Sequence, residues 1–220
     1  MVVAIDGPAG TGKSTVARLV AKRTGMFYLN SGSFYRAITW RVLRGGDPED
    51  SDAVMRVARD IDISISEGRM VVDGRDVEHE LRSDSVDQWV ARHSALPAVR
   101  EQVNKRLKMF ANTMDVVVEG RDMATVVFPD ADLKIFLDAS IETRAKRRYE
   151  QGTSELSLHE IEQSISRRDN IDKNKEYGRL RVADGALYLD TSHLTIEEVC
   201  DKVVANIHGH DKTSGVTRQL

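Results

Sequence analysis

Gly7-Pro8-Ala9-Gly10-Thr11-Gly12-Lys13-Ser14 follows the apolar run Val2 to Ile5 and precedes Val16, Leu19 and Val20, which fall at helical spacing. The octet matches the G-x-x-x-x-G-K-S pattern of a phosphate-binding loop (P-loop) and stands in the strand-then-helix setting that the pattern requires. Its glycines let backbone N–H groups crowd around phosphate oxygens, and the helix start adds its positive end. Lys13 can bridge the outer phosphates and Ser14 can ligate Mg2+. With Thr15 added, Gly7, Pro8, Ala9, Gly10, Thr11, Gly12, Lys13 and Ser14 form the candidate nucleoside triphosphate site. A glycine-rich turn matching by accident is expected in roughly one chain in a hundred of this length, and the flanking pattern makes chance less adequate still. Arg23 in the last turn and Gly25 as C-cap close the helix.

Outward from this loop, further apolar runs at Met26 to Leu29, Val116 to Val118, Leu133 to Leu137 and Ala186 to Leu189 are nearly continuous. Strands buried on both faces of a parallel sheet read this way. Their alternation with helical patterns predicts an α/β fold: a five-stranded parallel sheet flanked by helices. The gap from the second run to the third is too long for one crossover, so something is inserted there. Within it, Ile61 to Ile65 and Met70 to Val72 surround Glu67-Gly68-Arg69, and Asp73-Gly74 follows, which reads as a small antiparallel hairpin or meander. Pro97 reads as the N1 residue of a helix running to Phe110. A second interruption, from Tyr149 to about Leu158, has the turn-like tip Gln151-Gly152-Thr153-Ser154. The expected organisation is a core of 1–37, 112–149 and 172–208, an inserted domain 38–111, a flap at 150–171 and a disordered tail 209–220.

Composition narrows the class. The chain has 220 residues, 40% of them hydrophobic, enough for one cored domain with insertions. A net charge of −3 gives no general attraction to nucleic acid or anionic membrane. The single cysteine, Cys200, excludes a disulfide framework and a cysteine-based zinc site. The start, MVVAIDG, shows no basic leader, and no run approaches membrane-spanning length. A soluble, unprocessed, cytoplasmic protein is the expectation. A GTPase is disfavoured: DxxG is absent, and Asn174-Lys175-Glu176-Tyr177 has tyrosine where a guanine-reading aspartate would stand. Arg36, Arg100, Arg121, Arg167 and Arg168 fall in loops, at strand ends and on helical patterns. Transfer between two phosphates concentrates negative charge, so it needs fixed cations more than a base, and arginine binds phosphate bidentately.

The variant GPAGTGKS, the segment Ser31-Gly32-Ser33-Phe34-Tyr35-Arg36, the run LPAVR ending at Arg100, and EGRDMATVVFPDADLKIFLDAS from Glu119 resemble bacterial cytidylate kinase over nearly the whole chain. GRD followed by TVVFPDA is the most specific part. The resemblance implies that the long insertion binds the nucleoside monophosphate, that the short one is a lid, and that CMP or dCMP is phosphorylated by ATP with Mg2+. Carried over residue by residue, it implies that Ser31, Arg36 and Arg121 hold the acceptor phosphate, that Arg100 and Asp122 read the cytosine edge, and that Arg168 and Asp172 bind the ribose. Lys13, Arg121, Arg168 and Lys175 would be the catalytic cations. Asp122 can accept from the exocyclic amine of cytosine, where uracil presents a carbonyl.

Plainer readings stand beside these. Asp122 could be a helix N-cap or a partner for Arg121. One of Arg167 and Arg168 is expected to be only solvated surface. Arg144, Lys146, Arg147 and Arg148 read equally as an ATP clamp or an exposed basic face. Glu119, ending the third core strand, could hold Mg2+ through water or be an ordinary strand-end carboxylate. His208 and His210 read as incidental, and Trp40 and Trp89 as packing residues. The chain departs from the family pattern at Asn30 (aspartate), Ala91 (serine), Ala124 (glycine) and Lys175 (arginine). Ala91 removes a base contact, which opens the question of CMP against UMP, and Lys175 gives up the bidentate fork. The competing readings are a kinase of UMP or another small acceptor, and a nucleotide-binding regulatory module without catalysis. The partners expected are small-molecule nucleotides, with no nucleic acid and no membrane, bound by a monomer.

Overall fold

The computed structural model describes residues 1–150, 152 and 156–214, with side chains described up to 209. The chain separates into two compact units, Met1–Leu29 with Thr113–Leu220, and Asn30–Asn112.

In the first unit, β1 (Val2–Asp6) occupies the middle of a five-stranded parallel sheet. β2 (Phe27–Asn30) and β6 (Val116–Glu119) lie to one side, β7 (Leu133–Asp138) and β8 (Leu187–Asp190) to the other, in the order β2-β6-β1-β7-β8. Val3 pairs in register with Val117 on one side and with Leu133 on the other. The apolar run of β1 is continuous because both its faces are buried, Ala4 on one and Val3 and Ile5 on the other. α1 (Lys13–Thr24) contributes Val16, Ala17 and Val20, and α8 (Ile196–Ser214) contributes Val199, Val203 and Ile207, to one core with Ile5, Ile135 and Leu137. Each Val, Ile and Leu among them contributes about 1.5–3 kcal/mol on burial, so the end of β1 is a rigid mount. α6 (Ile141–Glu150) and α7 (Leu158–Asn174) pack on each other through Ala145, Ile161 and Ile165.

α7 opens with a capping box, in which Ser157 and Glu160 satisfy each other's backbone N–H groups. It runs on to Asn174, three residues beyond 171, the end expected for the flap. α8 continues to Ser214, so positions 209 to 214, read from sequence as irregular tail, are helical. Residues 215–220 of that tail, and the flap-tip residues 151 and 153–154, lie outside the described residues.

The second unit holds α2 (Ser31–Leu43), α3 (Ser51–Asp60), α4 (Asp84–Ala95) and α5 (Pro97–Ala111) around a three-stranded antiparallel meander, β3 (Ile63–Ser66), β4 (Arg69–Val72) and β5 (Arg75–Asp76). Both meander turns have two residues. Glu67 (φ 53°) and Gly68 (φ 74°) form the first, Asp73 (φ 48°) and Gly74 (φ 78°) the second. Two successive positive φ values match strand twist, which is why acidic-Gly pairs serve here. Pro97 sits at the start of α5, where no N–H is needed. Phe34, Ile38, Val72, Leu81, Val103 and Leu107 are buried in this unit, with Phe110 edge-on to Phe34 at 6.1 Å. Trp40 is buried and Trp89 stacks on His93, as packing residues do. Positions 30 to 37 and 112, left with the core in the sequence reading, fall in the second unit, where α2 is continuous from Ser31 to Leu43.

Candidate active site

The glycine loop leaves β1 and enters α1 through backbone conformations that a side chain would forbid. Gly7 has φ 149°, and a Cβ there would lie 2.0 Å from the carbonyl oxygen of Leu137 on β7. Gly12, in the left-handed region at φ 90°, is the N-cap of α1 and leaves the first N–H groups of that helix without a side-chain acceptor. Such N–H groups form a ready anion site. Lys13 is buried and its Nζ donates to the Pro8 carbonyl at 2.6 Å, folding the ammonium back over the loop. Thr11 Oγ1 donates to the same carbonyl at 3.2 Å.

Charged groups of both signs act on Lys13. Burial holds its ammonium well below the usual lysine range, Arg121 lowers it further, Glu119 and Asp6 oppose this, and Arg168 adds to the lowering. A phosphate arriving among these cations would restore the charged form. Arg121 follows β6 and is half-buried, and its Nε donates to Asp172 Oδ2 at 2.8 Å. Lys175, capping α7, approaches Asp172 Oδ1 at 3.4 Å. Burial alone would raise the Asp172 carboxyl, but Arg121, Lys175 and Arg168 outweigh it and hold Asp172 below its usual range. Lys13, Arg121, Arg168, Asp172 and Lys175 are thus electrostatic neighbours in one unit. Arg167 is exposed and donates to the Gln163 carbonyl one turn back.

Asp122 is buried just after Arg121 and begins a π-type turn, Met123–Val127, yet its side chain makes no cap bond there, and the Nε of Arg121 is taken by Asp172. The helix N-cap reading of Asp122 does not describe the geometry. Glu119, buried at the end of β6, accepts from Tyr28 Oη at 2.6 Å. Sequence reasoning missed Asp6. This buried last residue of β1 accepts from the backbone N–H groups of Met123 at 2.9 Å and Ala124 at 2.8 Å. The available signal was a carboxylate ending the run Val2 to Ile5 directly before the glycines.

The basic face of α6 is neither an exposed face throughout nor a free clamp. Arg144 is buried. Its Nε donates to the Ala139 carbonyl at 2.9 Å, its Nη1 to the Ala9 carbonyl at 3.1 Å, and its Nη2 pairs with Asp169 of α7 at 2.7 Å. Arg147 donates to the Thr191 carbonyl at 2.6 Å and its hydroxyl at 3.1 Å, and that hydroxyl donates in turn to the Thr11 carbonyl at 3.3 Å. Both arginines therefore splint the loop from outside. Lys146 and Arg148 are exposed.

In the second unit, Asn30 caps α2 by accepting from Ser33 N at 3.2 Å, a role that its amide oxygen fills as an aspartate would. Ser31 is buried at the helix start. Arg36 donates through Nη1 to the Leu81 carbonyl at 2.8 Å and through Nη2 to Asp87. Arg100 of α5 is buried, donates to the Ser94 carbonyl at 3.3 Å and lies over the Tyr35 ring at 5.7 Å. Ala91 is exposed on α4. Among the described residues no group of three or more His, Cys, Asp or Glu side chains could hold a metal, and no helix is long and apolar enough to cross a membrane.

A glycine cradle at the end of a central parallel strand, with arginines bearing on the loop lysine, defines a phosphoryl-transfer enzyme of the P-loop class. A family model described as cytidylate kinase matches residues 3–209. The cytidylate kinase of Caldanaerobacter subterraneus subsp. tengcongensis is 44% identical over 215 residues, covering 96% of each chain. That of Borreliella burgdorferi (strain ZS7) is 37% identical over 210 residues, covering 93% of this chain and 95% of that one. A crystal structure of an uncharacterized protein from Eubacterium ventriosum shares the fold, with a TM-score of 0.50 at 14% identity over 94% of this chain and 98% of that one. The chain belongs to the cytidylate kinase family and is a kinase with ATP as its co-substrate.

Proposed function

We propose that the chain moves the γ-phosphoryl group of ATP to CMP or dCMP, giving ADP and CDP or dCDP. The observation that carries the reading is a glycine loop with a buried Lys13 folded over it and, among the charges that act on that lysine, Arg121 held at 2.8 Å from Asp172. The acceptor is already a phosphate oxyanion, so no base has to remove a proton. The side chains have to neutralise two anions, align them and follow the charge into the transition state.

In this reading the loop 7–15 holds the ATP phosphates. Ser31, Arg36 and Arg121 hold the acceptor phosphate, Arg100 and Asp122 read the cytosine edge, and Arg168, Asp172 and Lys175 serve the ribose and the transferring group. The oxygen donors at Ser14 and Glu119 suit a hard divalent cation that takes its remaining ligands from phosphate and water. Ser14 directly and Glu119 through water would hold Mg2+, which supplies charge neutralisation on the phosphates. Cys200, a buried free thiol, is compatible with the cytoplasm, where we place the enzyme as a monomer acting on free nucleotides. A coupled assay of ADP release with CMP, dCMP, UMP, AMP and GMP tests the proposal. CMP and dCMP are expected to turn over fastest; silence on all five ends the reading, and UMP matching CMP would trace to Ala91.

A further inference from the structure

We propose that Asp6 is a positioning residue for the acceptor side of the reaction: its carboxylate pins the turn that carries Arg121 and Asp122 to the strand that leads into the glycine loop. The inference rests on the acceptor roles proposed for those two residues. Asp6 is 1% exposed, and each of its oxygens takes one N–H, Oδ1 from Met123 and Oδ2 from Ala124. These are consecutive donors at the start of a turn that has no side-chain cap of its own, because Asp122 makes none. A carboxylate from another element therefore does the capping. On one side of Asp6 the chain passes straight into Gly7; on the other, the pinned amides follow Arg121, whose charge reaches Lys13. One side chain thus sets the spacing of donor loop and acceptor-reading residues. A neutral isostere cannot replace it, since Asn would turn its NH2 toward one of the two N–H groups.

Burial supports the idea by its cost. It pushes the Asp6 carboxyl up to about 6 against the two N–H bonds, with Asp122 of the turn adding to the rise and Lys13 of α1 opposing it. Protonation converts one oxygen from acceptor to donor, so the clamp is complete above about 6 and weakens as pH falls through that value.

The test compares wild type and Asp6→Asn in parallel across about pH 5 to 8, with ATP binding measured by calorimetry. We expect Asp6→Asn to lower kcat/KM for CMP by about tenfold to a hundredfold, while ATP affinity stays within about threefold. The acceptor phosphate ionises near 6 itself, so the acid limb is read as the difference between the two proteins. Wild type should lose acceptor efficiency on acidification more steeply than the variant does. Equal losses for ATP and CMP, or superimposable profiles, overturn the proposal. Should the variant fail to fold, the amide proton shifts of Met123 and Ala124 in wild type decide. A shared midpoint near about 6 supports the clamp, and constancy over that range overturns it. Wild type inert toward CMP would instead refute the proposed function, and the amide titration would still report on the clamp.

Discussion

Arg144 and its partner Asp169, which brace the glycine loop, are 4% and 9% exposed, whereas Arg36 of the second unit leans on Asp87, which is 48% exposed. Arg144 spends its guanidinium on Ala139, Ala9 and Asp169, three places in the chain that it locks together. Arg36 has one backbone partner and one solvated carboxylate. An ion pair in water is worth little and exchanges readily, while a buried one is costly to break. The loop is therefore built to keep its shape, and the pair of Arg36 with Asp87 can exchange at small cost. Arg121, half-buried and paired with Asp172, stands between these extremes.

The sharpest way to test the contrast is to remove the guanidinium that reaches Lys13. Arg121→Ala should cut turnover with CMP by roughly a thousandfold or more, about 4 kcal/mol of barrier, with ATP affinity largely kept. Loss of ATP affinity with turnover otherwise preserved would contradict the role given to Arg121.

Next in size is the brace itself. Arg144→Met leaves the Asp169 carboxylate buried without its partner, and Asp169 Oδ1 already lacks a hydrogen bond. Denaturant unfolding should show a loss of about 3 kcal/mol or more. The double variant Arg144→Met/Asp169→Leu should recover much of that, since removing both charges removes the desolvation cost. A loss under about 1 kcal/mol for the single variant would mean that the pair behaves as a surface one does, and the contrast between the two regions would fail.

How far these features could be read without coordinates follows from their range along the chain. The glycine loop, the buried strands, the acidic-Gly turns at 67–68 and 73–74, and Pro97 at a helix start are local chemistry, and the structure has each where the pattern put it. Asp6 was legible only as a carboxylate before the glycines, and its role was not, because its partners lie 117 and 118 positions away and nothing local marks them. The arginines of α6 were legible as basic but not as braces, since a cationic helix face looks the same whether it meets solvent, ligand or loop carbonyls. α8 outran its expected end because polar residues at 209 to 214 hide a helix that its apolar residues had already anchored. Assigning acceptor roles to Ser31, Arg36 and Arg100 drew on family resemblance, because their spacing in sequence carries no signal of a shared ligand.

The smallest expected effect is the most discriminating for the second unit. Asp87→Ala removes the solvated partner of Arg36 while leaving the Leu81 carbonyl in place. If the ion pair is an exchangeable tether, unfolding free energy should change by less than about 1 kcal/mol. The KM for CMP should stay level or fall by up to about threefold, because an incoming phosphate no longer competes with a carboxylate for the guanidinium. A tenfold rise in KM for CMP, with ATP affinity unchanged, would instead mean that Asp87 aims Arg36. The second unit would then be preorganised by its surface ion pairs, much as the loop is by its buried ones. Measuring KM at low and high salt separates the two cases. A tether matters less as screening rises, so the difference between variant and wild type should shrink with added salt. An aiming contact that works through geometry would keep its difference.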